Sequence, residues 1–318
     1  MAEIAFITIV GEGLLPLALL VWLWRGACRS RVEWLLHALS FSAYIALIAV
    51  AGTWLLAPGY LPYGYALVGL GAAAVSWRRA GRFGPRPAGR MKFDLPLASS
   101  LGLAAFCTAM LFWALSGYVP PAGPAANLAS PLKDGTFHVV NGGYSILINP
   151  HMKTLARESL SAYRSQSYAL DFVRIDRFGR RAAGFWPSDP GRYLIFGEPV
   201  YAPCAGVVVQ TEDQLPDQTP PETDPIHPAG NFVRLECGQA DVLLAHLMYA
   251  SLTVNTGDWV QTGRLIGKVG NSGLSTEPHL HLHAQHPGLE ENFLARPPMP
   301  VRVDGRVLVR NSRLSVAD

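Results

Sequence analysis

Charged side chains are scarce in this chain. Asp, Glu, Lys and Arg make up 15% of its 318 residues, where a soluble domain carries about 25%. With half of the residues hydrophobic, that deficit excludes a fully soluble protein, and the length calls for about two domains. The charge that exists is unevenly divided: nine of the 26 basic residues and four of the 23 acidic ones precede residue 121, which leaves 17 against 19 for the remainder. The net charge of +3 therefore belongs to the first third, and no nucleic-acid partner can be argued from charge. A basic leader is missing too. Glu3 is the only charge ahead of Glu12, so the first apolar run is expected to be retained rather than cleaved as a signal peptide. Cysteine is limited to four residues, of which Cys28 and Cys107 fall in the apolar third and are expected only to pack.

What is abundant is apolar sequence in runs near the 20 residues or so of a spanning helix. Four precede residue 120, at about 4–24, 34–56, 61–77 and 95–118. Glu12 interrupts the first, at a cost of roughly 2.5 to 3.5 kcal/mol on the insertion scale, which the surrounding Leu, Ile, Phe and Val outweigh at about 0.3 to 0.6 each. Short cytoplasmic loops collect Lys and Arg. Arg25, Arg29 and Arg31 follow the first run, and Arg78, Arg79, Arg82, Arg86, Arg90 and Lys92 follow the third, whereas the stretch from Pro58 to Pro62 is uncharged. Residues 1–119 are thus expected to be a four-span module in the lipid bilayer, with the N-terminus and everything after Tyr118 on the outer side. Glu12 and His37 are the ionisable groups within the runs. An intramembrane charge raises a transport hypothesis by default, but packing against a neighbouring helix explains each as well.

Pro120, Pro121, Gly123 and Pro124 stop the fourth run and open a semi-rigid linker, taken as 120–134. From Gly135 the pattern changes to short apolar runs broken by Gly, Pro, Asn and Asp, such as Tyr168–Ile175, Pro199–Val209, Val242–His246 and His279–Ala284. These read as strands joined by turns, so 135–318 is expected to be an all-β antiparallel domain. Cys204 precedes one strand and Cys237 ends the next; if the two pair antiparallel, the thiols meet, and an oxidising outer compartment permits a disulfide. The run 298–311 reads as a closing hairpin turning at Asp304-Gly305.

Eight of the nine histidines fall in this outer part. His279, His281 and His283 alternate with leucines, which in a strand turns all three imidazoles to one face. Two imidazoles at that spacing reach one small site, one as metal ligand and the other as acid or base. Upstream stand Phe196-Gly197-Glu198-Pro199-Val200-Tyr201-Ala202-Pro203, then Ala245-His246-Leu247, then Gly257-Asp258-Trp259-Val260-Gln261-Thr262-Gly263 continuing to Gly270-Asn271-Ser272-Gly273, and finally Pro278-His279-Leu280-His281. In that order these motifs resemble the lysostaphin-like (LytM-type) zinc metallopeptidases over about residues 135–290.

The resemblance implies a fold of the duplicated-hybrid-motif type, one Zn²⁺ per chain, and peptidoglycan peptides as substrate. It implies His281 and Asp171 as metal ligands and His246 and His279 as catalytic residues. The family's usual H-x-x-x-D pattern fails here, because Ser167 stands four residues before Asp171. His151 is the first candidate for the missing ligand and resembles family members in which an inserted loop separates the His from the Asp. His138, inside a strand, is the runner-up, and an incomplete site is the third possibility. Three protein ligands would leave the fourth position of a tetrahedral zinc open, the arrangement of catalytic zinc. His283 has no role in the family pattern, and Asn231 matches a position near its groove or is a turn residue. The acidic, Pro-rich stretch from Gln210 to Ala229 is expected to wall the groove, with His227 on its surface.

The expected whole is a zinc endopeptidase anchored in the bacterial inner membrane and facing the periplasm or exterior, where it cuts peptidoglycan stems or cross-links. The alternative is an inactive family member that binds and activates a separate wall hydrolase, which makes a protein partner in the envelope possible.

Overall fold

The computed structural model describes residues 6, 8–26, 28, 30–80, 95–288 and 292–316. The chain divides into two compact units, one ending at Ser116 and one beginning at Gly117.

The first unit is helical. A six-residue π-helical turn, Ile9–Leu14, runs into an α-helix over Leu15–Arg25, followed by helices Arg31–Ala51, Leu61–Ala80 and Leu95–Ser116. Helices thus occupy all four apolar runs, but two of them, Arg31–Ala51 and Leu97–Ser116, are long and apolar enough to cross a membrane. Among the described residues, length and composition support a membrane crossing for these two helices and not for four. The first run is split between a π turn and an 11-residue helix with Pro16 in its first turn, and the third is diluted by Gly64, Gly69 and Gly71 and ends on Arg78 and Arg79. About a third of the best apolar window of each is buried within the chain, less than in the core helix of a soluble protein. The loop 81–94, with Arg82, Arg86, Arg90 and Lys92, lies outside the described residues, as do Glu3 and Arg29.

Glu12 and His37 act as ties. Oε1 of Glu12 accepts from the Thr53 amide at 2.7 Å and from the Thr53 hydroxyl at 3.2 Å, at the point where helix Arg31–Ala51 has ended. His37 is buried with Nδ1 3.4 Å from the Cys28 thiol and its ring stacked 3.7 Å from Trp22.

The second unit is built on strands β1 (Ala126–Leu128), β2 (Gly135–Asn141), β3 (Leu170–Arg174), β4 (Pro199–Tyr201), β5 (Gly206–Glu212), β6 (Asn231–Cys237), β7 (Ala240–Leu247), β8 (Trp259–Val260), β9 (Leu265–Lys268), β10 (Leu280–Gln285), β11 (Pro298–Met299), β12 (Val301–Val303) and β13 (Arg313–Val316). One nine-stranded sheet runs β13-β2-β3-β10-β7-β6-β5-β8, with β11 added to β10; its pairings are antiparallel. Strands β4 and β9 form a separate antiparallel pair.

Strand alternation separates the faces of the sheet. Leu170 and Phe172 of β3, Val242 and Leu244 of β7, and Leu280, Leu282 and Ala284 of β10 all enter one core with Phe137, Val208 and Val233. Fully burying one such side chain contributes about 1.5 to 3 kcal/mol. The intervening residues Asp171, Leu243, Ala245, His281 and His283 therefore share the opposite face.

Two local differences from the sequence reading have simple causes. Part of the expected linker belongs to the domain: β1 pairs in parallel with β12, and Leu132 is fully buried in the core. The expected closing hairpin retains its turn, with Asp304 and Gly305 both at positive φ and Val303 bridging Arg306, but β12 pairs with β1 instead of a second long arm. Cys204 and Cys237 are joined by a disulfide with Cα atoms 5.9 Å apart, since β5 and β6 pair antiparallel.

Candidate metal centre

Register brings the site together. Asp171 of β3 and Ala245 of β7 both lie opposite His281 of β10, and a bulge after Val139 sets Asn141 of β2 opposite Asp171. Asp171 Oδ1 is 2.9 Å from His281 Nδ1 and 3.8 Å from His279 Nε2. Asp171 Oδ2 is 2.9 Å from His151 Nε2 and accepts a bond from the Asn141 amide at 2.8 Å.

His151 reaches this point through an anchored turn. Asn149 caps the short helical turn Pro150–Met152 by accepting from the His151 amide. Its own Nδ2 donates to the Gly143 and Ala169 carbonyls at 2.9 and 3.1 Å. Ala169 leads directly into β3, so the segment joining His151 to Asp171, 20 positions on, forms a loop whose ends are tied. Ser167 lies inside that loop, fully buried, with its hydroxyl 2.8 Å from Thr154 Oγ1 and 2.6 Å from the Arg164 carbonyl. It is not among the groups that converge on Asp171. His138 is on β2 opposite Val173 and Arg313 and is not among the converging groups.

His246 enters by a different device. Ala245 faces the cleft, so ordinary alternation would turn His246 into the core. Instead His246 takes φ = 61°, a conformation rare for a non-glycine residue and characteristic of functional positions. Its ring lies 4.8 Å from that of His279 and 5.6 Å from that of His281. Nδ1 of His246 is 2.9 Å from the Ser272 carbonyl, and Nδ1 of His279 is 2.9 Å from the Glu277 carbonyl. A carbonyl only accepts, so each ring carries a proton on Nδ1, and in the neutral ring of His246 Nε2 is the lone pair. The Gly270-Asn271-Ser272-Gly273 turn that supplies the Ser272 carbonyl packs tightly on Gly230, where a Cβ would strike Ser272 itself.

Two triples have ligand atoms within 4.8 Å of one another: His151, Asp171 and His281, and His246, His279 and His281. They share His281. A nitrogen and oxygen donor set of this kind suits zinc, and the first triple brings the one carboxylate. Burial works to raise the Asp171 pKa, yet the facing His151 and His279, with hydrogen bonds from His151 and His281, hold its carboxyl well below the usual range. Burial, reinforced by the neighbouring His279 and His281, presses the His246 pKa well below 6.5. Burial also lowers His281, against the pull of Asp171. These rings are therefore neutral and able to ligate or accept a proton at pH 7.

A cleft of about 400 Å³ opens over these groups. Its far walls are apolar, including Leu160, Tyr163, Leu243 and Leu294, and Pro225 and Pro228 of the Pro-rich stretch form one side, as expected of that stretch. That stretch is held down by Asn231, which accepts from the Leu215 amide at 2.9 Å and donates to the Leu215 carbonyl at 2.7 Å. His227 is on the surface, 2.8 Å from Asp224.

Two features went unread in the sequence. Asn141 supports Asp171 and is itself held by Arg310 at 2.8 Å; only the bulge in β2 puts it in register, and nothing in the local pattern marks it. His283, left without a role, stands with Nδ1 3.0 Å from His281 Nε2. The H-x-H-x-H alternation itself carried that signal.

Residues 194–292 match the model of Peptidase family M23, in agreement with the lysostaphin-like motifs. The matched stretch contains His246, His279 and His281, while His151 and Asp171 precede it. Over 86 residues the chain is 36% identical to the peptidoglycan DD-endopeptidase ShyA of Vibrio cholerae serotype O1, a match that takes in 27% of this chain and 17% of that protein. Among solved structures it is similar to the catalytic domain of the antimicrobial peptidase lysostaphin from Staphylococcus simulans, with 25% identity over 39% of this chain and 79% of that one and a TM-score of 0.25. A putative peptidase M23 from Pseudomonas aeruginosa shows 21% identity over 54% and 50% of the two chains, with a TM-score of 0.28.

Proposed function

We propose that this chain, whose outer unit carries a lysostaphin-like domain of peptidase family M23, is a membrane-anchored zinc endopeptidase that hydrolyses peptide bonds of peptidoglycan outside the bacterial inner membrane. The observation that carries the reading is the convergence of His151, Asp171 and His281 on one point, with His246 and His279 turned to the same point from the other side. His151, Asp171 and His281 would hold the metal. When bound, zinc lowers the pKa of its water from 15.7 to about 7 and polarises the carbonyl under attack.

The remaining work falls to the protein. His246, buried and neutral with Nε2 free, accepts the proton of the attacking water. The proton taken up on His246 Nε2 passes to the departing amine, and His279, on the more open side of the cleft, presents Nε2 to the reacting centre. Each task contributes about 10² to 10⁴ in rate. The Ser272 and Glu277 carbonyls keep both rings in the tautomer that presents Nε2. The apolar walls favour peptides with small or uncharged side chains beside the scissile bond and exclude water around it.

Anchoring is proposed through at least the helices Arg31–Ala51 and Leu97–Ser116, with the catalytic unit on the outer side, where the wall lies and where the Cys204–Cys237 bridge is maintained. The alternative, an inactive activator of another hydrolase, drew on Ser167; His151 supplies the donor that Ser167 lacks. The test is digestion of purified peptidoglycan by the full chain in detergent. New amine ends, absent with His246→Ala, support the enzyme. Intact peptidoglycan with a zinc-loaded protein favours the activator.

A further inference from the structure

His279, just before strand β10, and His281, His283 and Gln285 within it stand at successive alternate positions. The last three are almost fully buried and form a chain. His281 Nε2 is 3.0 Å from His283 Nδ1, and His283 Nε2 is 3.3 Å from Gln285 Oε1 and 3.2 Å from the Ser165 hydroxyl. Ser165 comes from the segment Glu158–Tyr168 of the loop that joins His151 to Asp171.

The direction of this chain follows from its inner end. Nδ1 of His281 is the atom beside Asp171 and within reach of His151, so a metal held there takes the Nδ1 lone pair. The proton of His281 then sits on Nε2 and is donated to Nδ1 of His283. That leaves the His283 proton on Nε2, facing two acceptors, the Gln285 amide oxygen and the Ser165 hydroxyl. Every ring nitrogen is then matched to a partner of the correct kind.

We propose that His283 is a positioning residue for the metal centre: it fixes the tautomer and ring angle of His281, and Ser165 and Gln285 fix His283 in turn. The proposal rests on the reading of His281 as a metal ligand. It gives the third histidine of the strand a function, since outer partners of this kind set ligand orientation and basicity and typically change metal affinity 10- to 100-fold. A histidine that only fills the core has no need of an acceptor at Nδ1, and a phenyl ring would replace it.

The test is the zinc affinity of the full chain in detergent, measured by competition with a chromogenic chelator, for the parent, His283→Phe and His283→Asn. The expected result is a 10- to 100-fold loss in His283→Phe, with most of it restored in His283→Asn, whose Oδ1 accepts where Nδ1 did. Melting of the metal-free proteins keeps a general loss of folding apart from a loss of affinity. Equal affinity of parent and His283→Phe overturns the positioning role and leaves the metal site standing; a parent that binds no zinc overturns both. A measurement without substitution is the ¹⁵N signal of His281 in the zinc-loaded parent. A protonated Nε2 in slow exchange with water supports the chain, and a freely exchanging one contradicts it.

Discussion

Asp171 and His281 sit directly across the β3–β10 ladder, with carboxylate Oδ1 2.9 Å from imidazole Nδ1. Two strands 110 residues apart in sequence thus deliver a carboxylate and an imidazole nitrogen to one point. That pairing is a property of register, so a one-residue slip of β10 would exchange the histidine row for Leu280 and Leu282. The core leucines behind the ladder therefore hold the site as firmly as its own hydrogen bonds do.

Separation of ligand from catalytic roles predicts a divided phenotype. His246→Ala retains zinc and loses about 10² to 10⁴ in peptidoglycan cleavage, the magnitude of a lost acid or base. His281→Ala loses both. Metal analysis beside the cleavage assay distinguishes them, and loss of zinc in His246→Ala would make His246 a ligand.

Acid sensitivity follows from the buried rings. His246, His281 and His283 have folded pKa values below 6.5, so between those values and about 6.5 the unfolded chain binds more protons than the folded one. Their contribution is fully present above about pH 6.5 and is lost as pH falls. Asp171, depressed in the folded state, gives stability present above its unfolded value and lost at still lower pH. The melting temperature of metal-free protein is expected to fall steadily below pH 6.5; a flat profile from pH 7 to pH 5 would contradict neutral burial.

Much of this was legible in the sequence, and the exceptions have physical causes. Alternation marked the histidine face of β10, and the Ala245-His246-Leu247 motif picked out His246, but not the positive φ that brings its ring out of the core. The loop that carries His151 declared its length and not its closure, which depends on Asn149 reaching Ala169. Asn141 was invisible because a bulge, not a pattern, sets its register. Hydropathy located the four helices, but treated the first as continuous where a π turn around Glu12 divides it.

Arg181, which is buried, and Glu277, which is partly exposed, form an ion pair with guanidinium to carboxylate distances of 2.7 and 2.8 Å. Removing one partner of a fully buried pair costs about 3 to 5 kcal/mol, which is the upper limit here. Arg181→Met is expected to destabilise the second unit by up to that amount and to lower activity as well, because the Glu277 carbonyl orients His279. Denaturant unfolding followed by tryptophan fluorescence measures the first effect, and a change under 1 kcal/mol would contradict it.

The Cys204–Cys237 bridge spans 33 residues of sequence. Closing a loop of that length stabilises by about 4 kcal/mol in the chain-entropy account. Reduction, or paired substitution by serine, is expected to lower the unfolding midpoint accordingly while zinc stays bound under native conditions. An unchanged midpoint would show that the bridge adds nothing to the fold.

The central claim is a three-ligand zinc centre completed by His151. Its most direct test is the zinc content of the purified full chain beside the same chain with His151→Ala. The account predicts about one zinc per chain in the parent, as for a single centre of this kind, and its loss in the variant. A parent free of zinc after purification in zinc-containing buffer, or a variant that keeps its metal, would contradict it.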